Sequence, residues 1–270
     1  MLLRIRVALP DRPGSLGQVA RTLGVAGADI VQVVVLERAA GRAVDDFTVV
    51  WPSGASVRRL LAGLGAMPGV RVDGVWQAIG APVHGGNDAE LLAQIAVNPI
   101  DGLSTLVDAV PTLLAAEWAA VLVVPADWAV RNGSADGLTA LSASIGRAEP
   151  AVAHASWRAP QAPRLPEVTP LRARALTGPD GTRYAVAPFG RAGLVLVVAR
   201  GGAELPPEPE PAFTNVEALP APTAAAFHAT EVDRIAQLVR AAALVLGDQL
   251  DLVTAPPVAK ARVEGISSTS

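Results

Sequence analysis

Cysteine is absent from the 270 residues, and lysine occurs once, at Lys260. The first absence excludes disulfides, thiolate nucleophiles, iron–sulfur clusters and cysteine-held zinc, and it agrees with a reducing compartment. The second says nothing about phosphate recognition. With Ala, Gly, Val and Pro abundant, a basic complement made almost wholly of arginine reads as GC-rich codon usage. Aromatic residues make up only 4% of the chain, so any core must be assembled mainly from Ala, Val and Leu. An excess of positive charge is also missing. The formal net charge is -3, which gives no electrostatic reason to expect nucleic acid. No apolar run is long enough to span a bilayer, the longest candidate being broken by Glu117, Pro125 and Asp127. Arg4 and Arg6 interrupt the first apolar stretch, and no small-residue cleavage site follows it. A soluble, cytoplasmic protein without membrane or nucleic-acid partners is expected.

What is present is patterned. The first 78 residues read as strand Leu2–Leu9, helix Ser15–Val25, strand Ile30–Leu36, strand Phe47–Trp51, a helix from Ser53 or Ala55 to Ala66, and strand Val70–Val75. Gly41 supplies a hairpin turn between the middle strands, and Pro68-Gly69 ends the second helix. The order βαββαβ is the split-βαβ, ferredoxin-like plan. Ile30–Leu36 is apolar on both strand faces, which suggests a sheet burying more than one surface. Residues 79–87 break the periodicity and read as a linker. Residues 88–250 form a second domain, with helices at Ala89–Ala96 and Leu103–Ala116 and a strand at Ala119–Val124. Short strands are expected near Trp128–Val130 and Val152–Trp157, although residues 125–170 as a whole resist reading. Strands at Leu171–Leu176 and Arg183–Pro188 flank Gly178-Pro179-Asp180-Gly181, and a buried strand covers Gly193–Ala199. An acidic, Pro-rich insertion is expected near 204–223. The closing helix runs Thr230–Leu246, with Thr230 and Asp233 spaced as a capping box, and a disordered tail is expected over 251–270.

The stretch "LPDRPGSLGQVARTLGVAGADI", Leu9 to Ile30, carries the chemistry. A helix N-terminus offers unpaired N–H groups and positive dipole character to an anion. Gly14 lets a ligand approach the backbone, Pro13 stiffens the turn, and Asp29 can accept hydrogen bonds from an ammonium group. Together these features suit a zwitterion, of which an amino acid is the simplest. Asp11 has a plainer use as well, capping the turn near Ser15.

The motif resembles that of the ACT domain, a regulatory module of amino-acid metabolism, over residues 3–77. It is matched by Asp11, Pro13-Gly14, Ser15-Leu16 and Gly27-Ala28-Asp29-Ile30. The resemblance implies a homodimer that binds an amino-acid effector at its interface, the glycine turn of one subunit facing the second strand of the other. Asp11, Pro13, Gly14, Ser15, Leu16, Asp29 and Ile30 are the site residues it implies. Asp29 replaces the Asn frequent in the family, and Leu9 stands where some members have His.

Both ends of 88–247 resemble a GAF domain, an antiparallel sheet flanked by helices that senses small molecules or dimerises. The matching segments are "GLSTLVDAVPTLLAAEWAAVLVV", "RYAVAPFGRAGLVLVVARGG" and "AFHATEVDRIAQLVRAAALVL". Without cysteine, covalent chromophore attachment is impossible, and Phe227 and Glu231 fit only the generic start of the closing helix. His84, His154 and His228 are scattered without metal-ligand spacing, and Gly85-Gly86 and Gly201-Gly202 lack the context of a phosphate loop. Asp45 and Asp46 fall on opposite strand faces, with at least one expected in solvent. Trp118, Trp128 and Trp157 suit a core or pocket lining. No nucleophile–base constellation, metal site or cofactor motif is visible. The sequence therefore predicts a non-catalytic α+β sensor, which binds an amino acid at an ACT dimer interface and signals through a GAF-like domain. The alternative is an interaction module that dimerises and binds a protein partner, through the GAF-like face or the acidic loop, without a metabolite. A third reading, an enzyme with its site hidden in residues 125–170, ranks well below both.

Overall fold

The computed structural model describes residues 1–80, 86–125, 150–169, 171–191, 193–201 and 223–254. Among these residues the chain is α+β, with two antiparallel sheets of four and five strands and six helices.

The first sheet is built from β1 (Leu2–Pro10), β2 (Asp29–Ala39), β3 (Arg42–Val50) and β4 (Arg71–Gln77), in the order β2-β3-β1-β4. Helices α1 (Ser15–Val25) and α2 (Val57–Gly65) complete the βαββαβ order. Strand alternation sorts β1: Leu3, Ile5, Val7 and Leu9 are buried in the core shared with Val19 and Leu23 of α1 and with Leu60 and Leu64 of α2. Arg4 and Arg6 consequently lie on the opposite face. The Ala40-Gly41 hairpin turn has both residues at positive φ, 51° and 74°, matching the twist of the strands it joins. Ser56 caps α2 by accepting from the Arg59 N–H at 3.2 Å. β2 is an edge strand. Val31, Val33 and Val35 are exposed, while Gln32, Val34 and Leu36 are half-buried, so only one face is partly covered. The sheet as a whole does bury more than one surface, as the run Ile30–Leu36 suggested, since Arg6, Asp46, Thr48 and Trp76 on the face away from the helices are buried too.

The second sheet takes β5 (Trp118–Val123), β6 (Ala151–Ala155), β7 (Arg174–Thr177), β8 (Arg183–Pro188) and β9 (Leu194–Arg200), in the order β6-β5-β9-β8-β7. On one face it packs against α3 (Asn87–Val97), α4 (Gly102–Leu114) and α5 (Ala229–Leu246). Its other face buries Trp118, Tyr184 and Val168, the two rings meeting edge to face at 6.3 Å. A last helix, α6 (Gln249–Thr254), follows α5, so the expected tail begins with ordered helix.

Other boundaries also move. Asn87, assigned to the linker, opens α3. The capping box of α5 is set by His228 and Glu231 rather than Thr230 and Asp233: His228 Nδ1 accepts from the Thr230 N–H, and Glu231 accepts from the His228 N–H at 2.8 Å. Trp157 is exposed, not core. Trp128, His84, the strand expected near Trp128–Val130 and nearly all of the Pro-rich insertion lie outside the described residues.

The two sheets are not joined by a linker alone. Val75 donates its N–H to Thr223 O at 3.0 Å, and Trp76 Nε1 donates to Ala115 O at 2.9 Å. Gly74 has no side chain where Ala225 crosses it; a β-carbon there would fall on the Ala225 backbone. The face of the first sheet that carries Arg6 is thus covered by the segment leading into α5 and by the end of α4.

Candidate functional site

Two places are candidates: the turn singled out by the sequence, and a buried ionic cluster between the sheets.

At the turn, Gly14 adopts φ +90° immediately before α1, and a β-carbon there would meet nothing within 4 Å. No side chain caps α1. Asp11 therefore does not serve the capping role. Its carboxylate instead pairs with Arg38, whose Nη2 approaches to 2.6 Å and whose Nε donates at 3.1 Å. The pair is exposed and holds the Arg38 guanidinium above its usual value, through the hydrogen bond and charge of Asp11. Asp11 N–H also donates to Gly41 O at 2.8 Å, which ties the turn to the hairpin. Pro13, Gly14 and Leu16 are exposed, whereas the Ser15 side chain is buried.

Asp29 is exposed and Ile30 half-buried at the other end of β2. From Asp29 to Arg38 the strand covers about 30 Å. Within one chain the structure therefore brings Asp11, Pro13, Gly14, Ser15 and Leu16 together but does not bring Asp29 and Ile30 to them.

The cluster between the sheets was not foreseen. Arg6 clasps Asp46 with two hydrogen bonds of 2.7 Å and reaches Glu231 at 2.9 Å. Arg200, fully buried, binds Glu231 at 2.6 Å and Leu114 O at 2.6 Å. Its guanidinium lies 4.0 Å over Phe227 and 4.6 Å over Trp76, so the aromatic faces replace part of its lost hydration. Arg4 Nε comes within 3.1 Å of Asp46. Burial pushes the Glu231 carboxyl up, but Arg200, Arg6 and the His228 N–H outweigh it and hold the group at about 2. Burial draws Arg200 below its usual value, with Glu231 opposing.

The cluster also closes a helix end. Leu113, Leu114 and Ala115 carbonyls at the C-terminus of α4 accept from Arg234, Arg200 and Trp76. Ala115 takes φ +47° there.

Asp45 and Asp46 do point to opposite faces, yet neither is solvated. Asp46 joins the arginines, while Asp45 sits across from Val7 on the helix side with one oxygen lacking a hydrogen bond. Burial and the neighbouring Asp46 push the Asp45 carboxyl up. A signal for the cluster was available: two arginines at alternate positions of an otherwise apolar strand share one face, and Arg200 ends the apolar run Leu194–Ala199. Nothing in the sequence gave their partner.

Among the described residues no group of three or more His, Asp or Glu side chains could hold a metal ion. Nor is any helix there long and apolar enough to cross a membrane.

No protein-family model and no curated protein matches the chain. Among solved structures it overlaps a formyltetrahydrofolate deformylase from Pseudomonas putida KT2440 at 16% identity and a TM-score of 0.26, over 36% of this chain and 39% of that one. The chain thus spans about two fifths of the deformylase's length. It also overlaps a protein of unknown function from Galdieria sulphuraria at 12% identity and a TM-score of 0.26, over 73% of this chain and 78% of that one. Overlaps of this size carry no argument about fold or function.

Proposed function

We infer that this is a non-catalytic regulatory protein, which binds an amino acid between the ACT-like units of two copies and passes its occupancy to the GAF-like part. The observation that carries the reading is the uncapped N-terminus of α1 behind an open glycine turn. Such a terminus can take a carboxylate. The ammonium partner, Asp29, is at the wrong end of β2 within one chain. Antiparallel pairing of two β2 edges sets the Asp29 end of one copy beside the Gly14 turn of the other, and the exposed Val31, Val33 and Val35 would be covered by such a contact. The ligand then touches both copies and favours the paired arrangement, which is the differential affinity that a signal requires. The ionic cluster ties this sheet to the second one, giving the signal a rigid path.

The test is a thermal-shift screen against the standard amino acids and common nucleotides, with Asp29→Ala in parallel and sedimentation equilibrium on any hit. The expected result is one selective amino acid that raises the unfolding temperature, favours the dimer and loses its effect in the variant. Stabilisation by nucleotides alone would move the sensing role to the GAF-like part. A dimer indifferent to every compound would favour the second reading, a module that pairs through the exposed valines of β2 and serves protein contacts only.

A further inference from the structure

A cavity of about 410 Å³ opens between the two sheets, well within the size that holds a small metabolite. One wall is the face of the first sheet that carries Arg4, Gln32, Val34 and Thr48; the other comes from the ends of α4 and α5 and from Ile79. Of the three clustered arginines, Arg4 is the one that lines the cavity. Its side chain is only 12% exposed, and its Nε is buried without a hydrogen bond. Its ionic partner, Asp46, is already clasped twice by Arg6. Three guanidinium groups, Arg4, Arg6 and Arg200, thus face two carboxylates, Asp46 and Glu231, and the surplus positive charge falls on the residue that lines the cavity. A buried guanidinium whose charge is not fully matched is costly unless something accepts from it.

The surplus of one charge matches a monoanion. Arg234, the other cation on the wall, is bound to Asp88 by hydrogen bonds of 2.7 and 2.9 Å. An ammonium group would find no free carboxylate, because Glu231 already accepts from Arg6, Arg200 and the His228 N–H. The remaining wall offers the apolar Val34, Leu36 and Leu113 beside the polar Gln32, Thr48, Thr112 and Thr230. We propose that this cavity binds a small aliphatic monocarboxylate lacking an amino group, its carboxylate held by Arg4 and its chain by Val34, Leu36, Ile79 and Leu113. The site is independent of the Gly14 turn, and because both sheets line it, occupancy fastens one to the other.

The test is isothermal titration calorimetry of the full chain with 4-methyl-2-oxopentanoate, hexanoate and inorganic phosphate, on the wild type, Arg4→Gln, Val34→Trp and Asp29→Ala. Circular dichroism checks that each variant is folded, and Val34→Trp, on a half-buried edge strand, serves if Arg4→Gln does not fold. Saturable binding of a carboxylate is expected, weakened about tenfold or more by Arg4→Gln, blocked by the indole of Val34→Trp and unchanged in Asp29→Ala. The proposal is overturned by absence of carboxylate binding at about 10 mM, by phosphate binding as tightly, by affinity unchanged in Val34→Trp, or by loss in Asp29→Ala alone.

Discussion

Arg6 and Glu231 are separated by 225 residues of sequence, and their side chains meet at 2.9 Å in the interior between two sheets. Each has a further partner of opposite charge, Asp46 for Arg6 and Arg200 for Glu231, so the contact is the middle link of a buried chain of charges. Ions this deeply buried repay their desolvation only when nearly every donor and acceptor is used. The four central groups come close to that condition through the added carbonyls of Ala226 and Leu114 and the N–H of His228, with Arg200 Nε left as a buried donor without a hydrogen bond.

Removing one member should therefore cost more than removing an exposed pair. Glu231→Gln leaves Arg200 without its carboxylate partner and Arg6 with Asp46 alone, and it is expected to destabilise the chain by about 3 kcal/mol. Urea denaturation followed by circular dichroism measures it. Asp88→Asn, at the exposed Arg234 pair, should cost under about 1 kcal/mol. Equal losses would mean that the buried network contributes no more than a surface contact.

Acid should act through the same carboxylate. Glu231 titrates at about 2 in the folded chain against an ordinary 4.5, so its stabilisation is complete above about 4.5 and is lost as the pH falls towards 2. The difference in melting temperature between wild type and Glu231→Gln should shrink over that window. A gap that stays constant from neutral pH into acid would contradict the ion-pair origin of the stability.

Asp45 predicts the opposite sign. Its carboxyl is pushed up by burial and by Asp46, so the folded state prefers it protonated and is destabilised once the pH rises past its ordinary 3.8. Asp45→Asn removes the buried charge and should raise stability by about 1 kcal/mol at neutral pH. Most of that gain should vanish in acid, where the aspartate is itself neutral. Melting curves at neutral and acidic pH check both halves.

Two backbone positions give complementary outcomes. Ala115 holds φ +47°, a conformation that strains a residue with a β-carbon, so Ala115→Gly should stabilise by about 1 kcal/mol while leaving the Trp76 contact to its carbonyl intact. Gly74→Ala drives a β-carbon into the Ala225 backbone and should cost about 1–3 kcal/mol. It should also quench or shift the fluorescence of neighbouring Trp76 as the sheets separate. An unperturbed Trp76 spectrum would show that the junction tolerates displacement.

Much of the fold was legible because burial imposes a period. Val19 and Leu23 repeat at helical spacing, Leu3, Ile5, Val7 and Leu9 alternate as a half-buried strand must, and Arg183–Pro188 was read with the bounds it has. The turn at Gly14 was legible for a related reason: Pro-Gly between a strand and a helix has few backbone solutions, and one of them uses positive φ. Local chemistry misled where a tertiary partner decided. Thr230 and Asp233 have good capping chemistry, but His228 takes the cap because Glu231 is drawn inward to Arg6 and Arg200.

The sequence by itself determined the αβ order, the hairpin and helix-entry turns and the face of β1 on which Arg4 and Arg6 lie, since each depends on neighbours within a few residues. Only the tertiary structure decided that those arginines face a second sheet instead of water. It alone joined Asp46 to Glu231 through Arg6, parted Asp29 from Asp11 and left a cavity beside Arg4. Charges and apolar edges carry no record in sequence of what they will meet; which surfaces close on one another is settled by packing between residues far apart along the chain.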